Sequence, residues 1–167
     1  KQKLVELMEN ILSVPMDFKV RIGMMNPGNT IPVLDKLIEL YKHPKMFKFL
    51  HIPIQSGSNE VLKLMNRKYK VQDFIDVTDK FRKEIPEITI STDMIVGFPS
   101  ETEEQFEDSL NIIKKIKPDV LNLSRYAERE GTIAAKMKKL STNTLKQRSR
   151  IMTILYREIA LQNNKNW

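Results

Sequence analysis

The sequence contains no cysteine. That excludes disulfides, thiolate nucleophiles and any metal or cluster held by cysteines of this chain. No apolar run approaches the ~18 residues of a membrane-spanning helix, so no membrane contact is expected. The opening segment, KQKLVELMENIL, reads as an amphipathic helix and lacks the small-residue cleavage site of a secretory signal. There is no P-loop, no Gly-x-Gly-x-x-Gly, no histidine spacing suited to a metal and no Ser/His/Asp arrangement, which excludes the standard phosphate cradles and a hydrolytic triad.

What is present fits one soluble globular domain: 167 residues, 41% hydrophobic and 29% charged. The net charge of +7 is unevenly spread. Residues 1–83 carry 15 basic and 9 acidic side chains, residues 84–108 carry 8 acidic and none basic, and residues 114–150 carry 11 basic against 3 acidic. The last block reads either as a solvated helical surface or as a surface facing phosphates. The first residue is Lys1 rather than methionine, as in a piece of a longer protein or a processed chain.

Residues 3–12 place Leu4, Leu7, Met8, Ile11 and Leu12 on one helical face. Lys19–Met24 alternates Val20, Ile22 and Met24 as a short strand, and Asn26–Asn29 is a loop. Asn29 or Thr30 then caps a helix carrying Leu34, Leu37, Ile38 and Tyr41. The pattern recurs. Phe47–Ile54 is a strand, and Ser58 caps a short helix to about Arg67. Val71 to Phe81 marks the next helix, and Ile88–Val96 is the third strand. Thr102 and Gln105 fit a capping box, with Glu101, Glu103 and Glu104 in the first turn. Phe106, Leu110, Ile113 and Ile116 face inward along that helix. Val120–Leu123 is a fourth strand. Residues 144–162 form a last helix with Leu145, Met152, Leu155 and Ile159 inward. Strands alternating with helices predict an α/β fold with a parallel four-stranded sheet. Four strands are too few for a closed eight-stranded barrel, and the helix-first order points to part of a larger one.

In such folds ligands bind beyond the carboxyl ends of the strands. Those ends carry Asn26, then Gln55-Ser56-Gly57-Ser58, then Asp93 to Pro99, then Ser124-Arg125-Tyr126. The Gln-Ser-Gly-Ser loop suits a ribose, carboxylate or phosphate, and equally suits plain helix capping. His51 lies in an apolar strand and reads as a satisfied core histidine before a catalytic one. Asp93 must find a partner within its strand, whether a ligand, a neighbouring strand or Arg125. Phe98 is either a hydrophobic plug or an aromatic wall for a nucleoside. Arg125 and Arg129 suit a carboxylate or phosphate, and Tyr126 suits a base; an ordinary basic loop is the alternative.

Three stretches carry a resemblance: FLHIPIQSGSNEVLKLMNRKY, ITISTDMIVGFPSETEEQFEDSL and LSRYAEREGTIAAKM. In order and spacing they resemble the radical S-adenosylmethionine (SAM) methylthiotransferases. The wording RIGMMNP and HPKMFKFLHIP is most similar to the archaeal and eukaryotic branch, which acts on N6-threonylcarbamoyladenosine 37 of tRNA. The resemblance implies a half-barrel over residues 1–162, the second part of a partial (βα)6 TIM-like barrel. It implies that residues 163–167 begin a linker to an RNA-binding domain. Implied cofactors are SAM and [4Fe-4S] clusters held by cysteines outside this chain. Implied cofactor-binding residues are Gln55, Ser56, Ser58, Asp93, Gly97, Phe98 and Tyr126; implied substrate-binding residues are Asn26, Arg125 and Arg129. The implied chemistry is reductive cleavage of SAM and insertion of a methylthio group at C2 of the adenosine. Implied partners are tRNA and an electron donor, and the implied location is cytoplasmic. Two features depart from the family pattern. Ser100 stands where glycine is usual, and Ala127, Glu130 and Ile133 replace frequent Ser, Pro and Pro. Two alternatives remain. One is a radical enzyme acting on isopentenyladenosine tRNA or a ribosomal-protein aspartate; the other is a non-catalytic nucleotide- or RNA-binding module. The isolated chain is expected to be inactive and to dimerise through the open edge of its half-barrel.

Overall fold

The structure, a computed structural model, describes residues 3–165. Seven α-helices and three strands follow in the order α1 (Lys3–Ser13), α2 (Pro27–Thr30), α3 (Leu34–Lys42), β1 (Phe49–His51), α4 (Asn59–Leu64), α5 (Val71–Glu84), β2 (Thr89–Val96), α6 (Glu103–Ile116), β3 (Val120–Arg125) and α7 (Thr142–Asn164). The strands form one parallel sheet in the order β1-β2-β3. Each pair is joined by helices, the crossover that parallel pairing requires.

The α/β class and parallel order match the expectation; the number of strands does not. Of the segment 19–24, only Val20 pairs, in a single parallel bridge with Met46. The Met25 N–H reaches the His51 carbonyl at 2.9 Å, so this segment still runs beside β1. Its alternation fails after Ile22. Ile22 and Met25 are buried while Met24 is 67% exposed, so the inward spacing is three and not two. β1 is also shorter than expected. Pro53 has no N–H to donate, and pairing resumes only as a bridge between Gln55 and Met94.

Helix starts show the same local logic. Asn26 is not in a loop but is the N-cap of α2. Its side chain accepts the Asn29 N–H, and Pro27 supplies a preset φ at the first helical position. The Thr102–Gln105 capping box forms as expected. Glu101 lies before that cap, not in the first turn, and is 2% exposed. α1 is rotated from the expected face, with Val5, Met8 and Leu12 buried and Leu7 54% exposed.

One continuous core runs from α1 to α7. Tyr41 and Phe81, both fully buried, meet edge to face at 5.1 Å. The inward seam of α7 is Leu145, Arg148, Met152, Leu155 and Ile159, so a charged residue occupies a core position. α7 continues through 163 and 164, where the linker was expected to begin; residues 166 and 167 lie outside the described residues.

Candidate functional site

The carboxyl ends of the strands carry one polar row. His51 on β1 places Nε2 2.8 Å from Asp93 Oδ1. Asp93 on β2 is in register with Asn122 on β3, whose Nδ2 donates to the same oxygen at 2.8 Å. Asp93 thus pairs with both neighbouring strands through Oδ1, with Arg125 outside the pair. His51 is satisfied, but at the floor of a cleft and not within the core.

Above the row lies a cleft of about 860 Å³, within the ~300–1,000 Å³ usual for small-molecule sites. Gln55 walls it on one side. Its backbone is clamped to β2 on both sides, at 2.8 Å to Asp93 and 2.9 Å to Ile95, and holds φ at 72°. A left-handed glutamine stores strain of the kind found at binding sites. Opposite stand Phe98 and Tyr126, edge to face at 5.5 Å. The Tyr126 hydroxyl is buried and has no hydrogen-bond partner among the described residues. A buried hydroxyl without a partner is costly, so it marks where a ligand acceptor or donor would sit.

Six of the ten residues singled out from sequence line this cleft: Gln55, Asp93, Phe98, Arg125, Tyr126 and Arg129. Four do not. Asn26 caps α2. Ser56 is fully buried, with its hydroxyl 3.5 Å from that of Ser109 and accepting the Ser58 N–H at 3.2 Å. Ser58 starts α4 without a side-chain cap bond and is 4% exposed. Gly97 (φ 74°) lies under Leu145, where a Cβ would stand 1.8 Å from Leu145 Cδ2.

Sequence reading missed two contributors, Asn122 and Arg67, and set His51 in the core before the site. His51 and Asn122 were legible only as strand residues sharing a face with Asp93. Arg67, from the turn after α4, also lines the cleft. It further missed the support beneath the cleft. The Glu101 carboxylate accepts the Gly97 N–H at 2.9 Å and the Arg148 guanidinium at 2.6 Å. Arg148 also reaches Glu103 at 2.9 Å and lies over the Phe106 ring. Burial pushes the Glu101 carboxyl up, against the pull of the Gly97 N–H and Arg148. The pair anchors the 97–101 turn, which carries Phe98, to α7.

A second cleft, about 710 Å³, lies between α1, α3 and α5. It is away from the strand ends, and Asp35 and Lys80 in its lining pair with each other.

Residues 2–113 match the Radical SAM superfamily. The chain belongs to that superfamily. It is 45% identical over 164 residues to a probable threonylcarbamoyladenosine tRNA methylthiotransferase of Pyrococcus horikoshii, covering 98% of this chain and 39% of that protein. It is 46% identical to the Archaeoglobus fulgidus protein of the same name over the same shares. The Drosophila melanogaster threonylcarbamoyladenosine tRNA methylthiotransferase is 39% identical, over 92% of this chain and 28% of that one. The chain thus spans about two fifths of the length of its archaeal relatives. Among solved structures it resembles the coproporphyrinogen III oxidase HemN of Escherichia coli, described as a radical SAM enzyme. That match has a TM-score of 0.73 at 23% identity, over 94% of this chain and 37% of that one. It also resembles Methanocaldococcus infernus Elp3, with a TM-score of 0.58 at 18% identity, over 94% and 36%. These two likenesses establish the fold: a segment of a radical SAM barrel.

The superfamily uses SAM and an iron–sulfur cluster. The cleft fits the first, with its size, its unpartnered Tyr126 hydroxyl and its mixed aromatic and polar walls. The chain does not fit the second. It has no thiolate, and no group of three metal-ligating side chains exists among the described residues.

Proposed function

We propose that this chain forms the carboxyl-proximal part of the radical SAM barrel of a tRNA methylthiotransferase acting on threonylcarbamoyladenosine 37. The observation that carries the reading is the 37–46% identity to archaeal proteins of that name over 98% of the chain. In this reading the cleft holds SAM and the target nucleoside. Phe98 and Tyr126 flank a base, and the Tyr126 hydroxyl finds in the ligand the partner it lacks in the protein. Asp93, fixed by His51 and Asn122, accepts from ribose hydroxyls or an amino group, and the Gln55 side chain closes the opposite wall. Arg125 takes the cofactor carboxylate. When bound and reduced through a [4Fe-4S] cluster held by cysteines outside this chain, SAM supplies the radical chemistry. The residues here bind, orient and exclude water.

The basic residues 114–150 follow from the same reading as a surface toward tRNA. The protein works in the cytoplasm with an electron donor, and the 167 residues alone are inactive. The test is mass spectrometry of tRNA nucleosides and ribosomal proteins from a strain lacking the gene. Accumulation of threonylcarbamoyladenosine with loss of its 2-methylthio form supports the reading. Loss of a modified isopentenyladenosine or of a modified ribosomal-protein aspartate overturns the substrate. No change in either points to a binding module.

A further inference from the structure

Two apolar side chains at the mouth of the cleft are left uncovered by the fold. Leu64, at the end of α4, is 47% exposed, and Ile133, in the loop after β3, is 82% exposed. Among the described residues they are the only exposed large hydrophobic side chains that line the cleft. The aromatic wall lies deeper: Phe98 is buried, and so is the Tyr126 hydroxyl. Ile133 is also held in place. The Thr132 hydroxyl donates to the Arg129 carbonyl at 2.8 Å and accepts the Ala135 N–H at 3.3 Å. The Lys136 N–H closes a tight turn on the Ile133 carbonyl at 3.0 Å. Lys139 pairs with Glu128 across the base of the loop, and the Ser100 N–H donates to the Lys138 carbonyl at 3.0 Å. A β-branched side chain on such a turn has little rotamer freedom to lose on contact.

The reading above brings one adenosine of an RNA loop into the cleft. A base set against Phe98 and Tyr126 lies below the surface and has left the stack of its neighbours. The bases on either side of it then present bare apolar faces at the mouth, where Leu64 and Ile133 stand. Apolar side chains fill the gaps that proteins open between bases, and contact there removes apolar surface of both partners from water. The loop that carries Ile133 is also basic, with Arg129, Lys136, Lys138 and Lys139 against Glu128 and Glu130. Cations beside an apolar tip suit a phosphate backbone whose bases are unstacked.

We infer that Leu64 and Ile133 form an apolar wedge that holds the target adenosine out of its stack by packing against the bases next to it. This rests on the reading above, in which a tRNA adenosine enters the cleft. The test uses the full-length protein and an anticodon stem-loop with threonylcarbamoyladenosine at the target position and 2-aminopurine as its 3′ neighbour. That base is dim when stacked on another base and bright against an aliphatic side chain. Binding of the wild type is expected to raise its fluorescence. A variant carrying Leu64→Ala with Ile133→Ala loses most of the rise and binds the stem-loop about tenfold more weakly, the order expected for losing that apolar contact. Its salt dependence of binding is unchanged, because neither side chain meets a phosphate. Its SAM affinity and urea midpoint are unchanged too. Leu64→Met with Ile133→Val, which keeps an apolar surface, keeps most of both signals. A stem-loop that binds without a rise, or a rise and affinity that the alanine variant leaves intact, overturns the inference. A fall in urea midpoint with RNA binding intact also overturns it and assigns the two side chains to a contact within the protein. In each of these cases a wild type that still methylthiolates threonylcarbamoyladenosine in tRNA leaves the parent reading standing. A wild type that modifies no threonylcarbamoyladenosine overturns both.

Discussion

Arg148 is a charge where its helix should carry a hydrophobe. It is 5% exposed, and Glu101 is 2% exposed. Removing one member of such a pair leaves the other buried and uncompensated, at a cost of about 3–5 kcal/mol. Arg148→Met should lower stability by that order at neutral pH in urea titrations, and by less in acid, where Glu101 takes up a proton. The pH dependence has a defined sign. The Glu101 carboxyl is pushed up by burial, so the folded protein keeps its proton where the unfolded chain has lost it. Its contribution is full below the ordinary carboxylate range and fades as pH rises through the raised value. Glu101→Gln should abolish that slope when urea midpoints are compared from about pH 4 to pH 7. Ser100 makes a second case. Its φ of 65° explains why glycine is the usual residue there. Ser100→Gly removes about 1–2 kcal/mol of left-handed cost and adds about 0.5–1 kcal/mol of chain freedom. A rise in melting temperature is the expected net result. Tyr126→Phe should leave stability unchanged or raise it, because the hydroxyl has no partner, while SAM affinity measured by calorimetry falls.

At the scale of elements, the loop after β1 is held by α6. A Cβ on Gly57 would stand 2.5 Å from the Asp108 carbonyl oxygen and the Ser109 Cα. The Gly57 N–H donates to the Ser109 hydroxyl at 2.9 Å. Gly57→Ala must push the loop off the helix, costing about 1–3 kcal/mol and displacing Gln55; chemical denaturation and SAM binding should both report it. This contact also shows what the sequence hides. Gln-Ser-Gly-Ser before a helix reads equally as a ligand loop and as packing, and only the approach of α6 decides that the serines face inward. Elements with strong periodicity or a local cap were legible: α5, α6 with its capping box, β2 and the long α7. So was the placement of Asp93, Phe98 and Tyr126 at strand ends, because alternation and the parallel order dictate it. Long-range pairs were not legible. Nothing near Glu101 in sequence points to Arg148, and nothing near Asp93 points to His51, 42 positions away. The loss of the first expected strand follows from a spacing of three at Ile22 and Met25, which single-strand alternation does not anticipate.

At the scale of the molecule, the sheet is an open arc. Among the described residues β3 pairs only with β2, and the segment from Val20 to Met25 borders the other side with few backbone bonds. Unpaired edges template further pairing, so the 167 residues alone should associate with rising concentration in light scattering. A protein supplying the rest of the barrel should remove that association. The polar row across the strands bears on how the arc forms at all. Parallel pairing is slow and non-local, and a one-residue slip turns every side chain to the opposite face. A slipped β2 would drive Asp93 into the helical side, where a carboxylate without partners costs several kcal/mol. Against a correctly placed neighbour it meets Asn122 on one side and His51 on the other. The floor of the cleft thus proofreads the pairing of the strands beneath it, and a misaligned sheet is rejected before any ligand arrives.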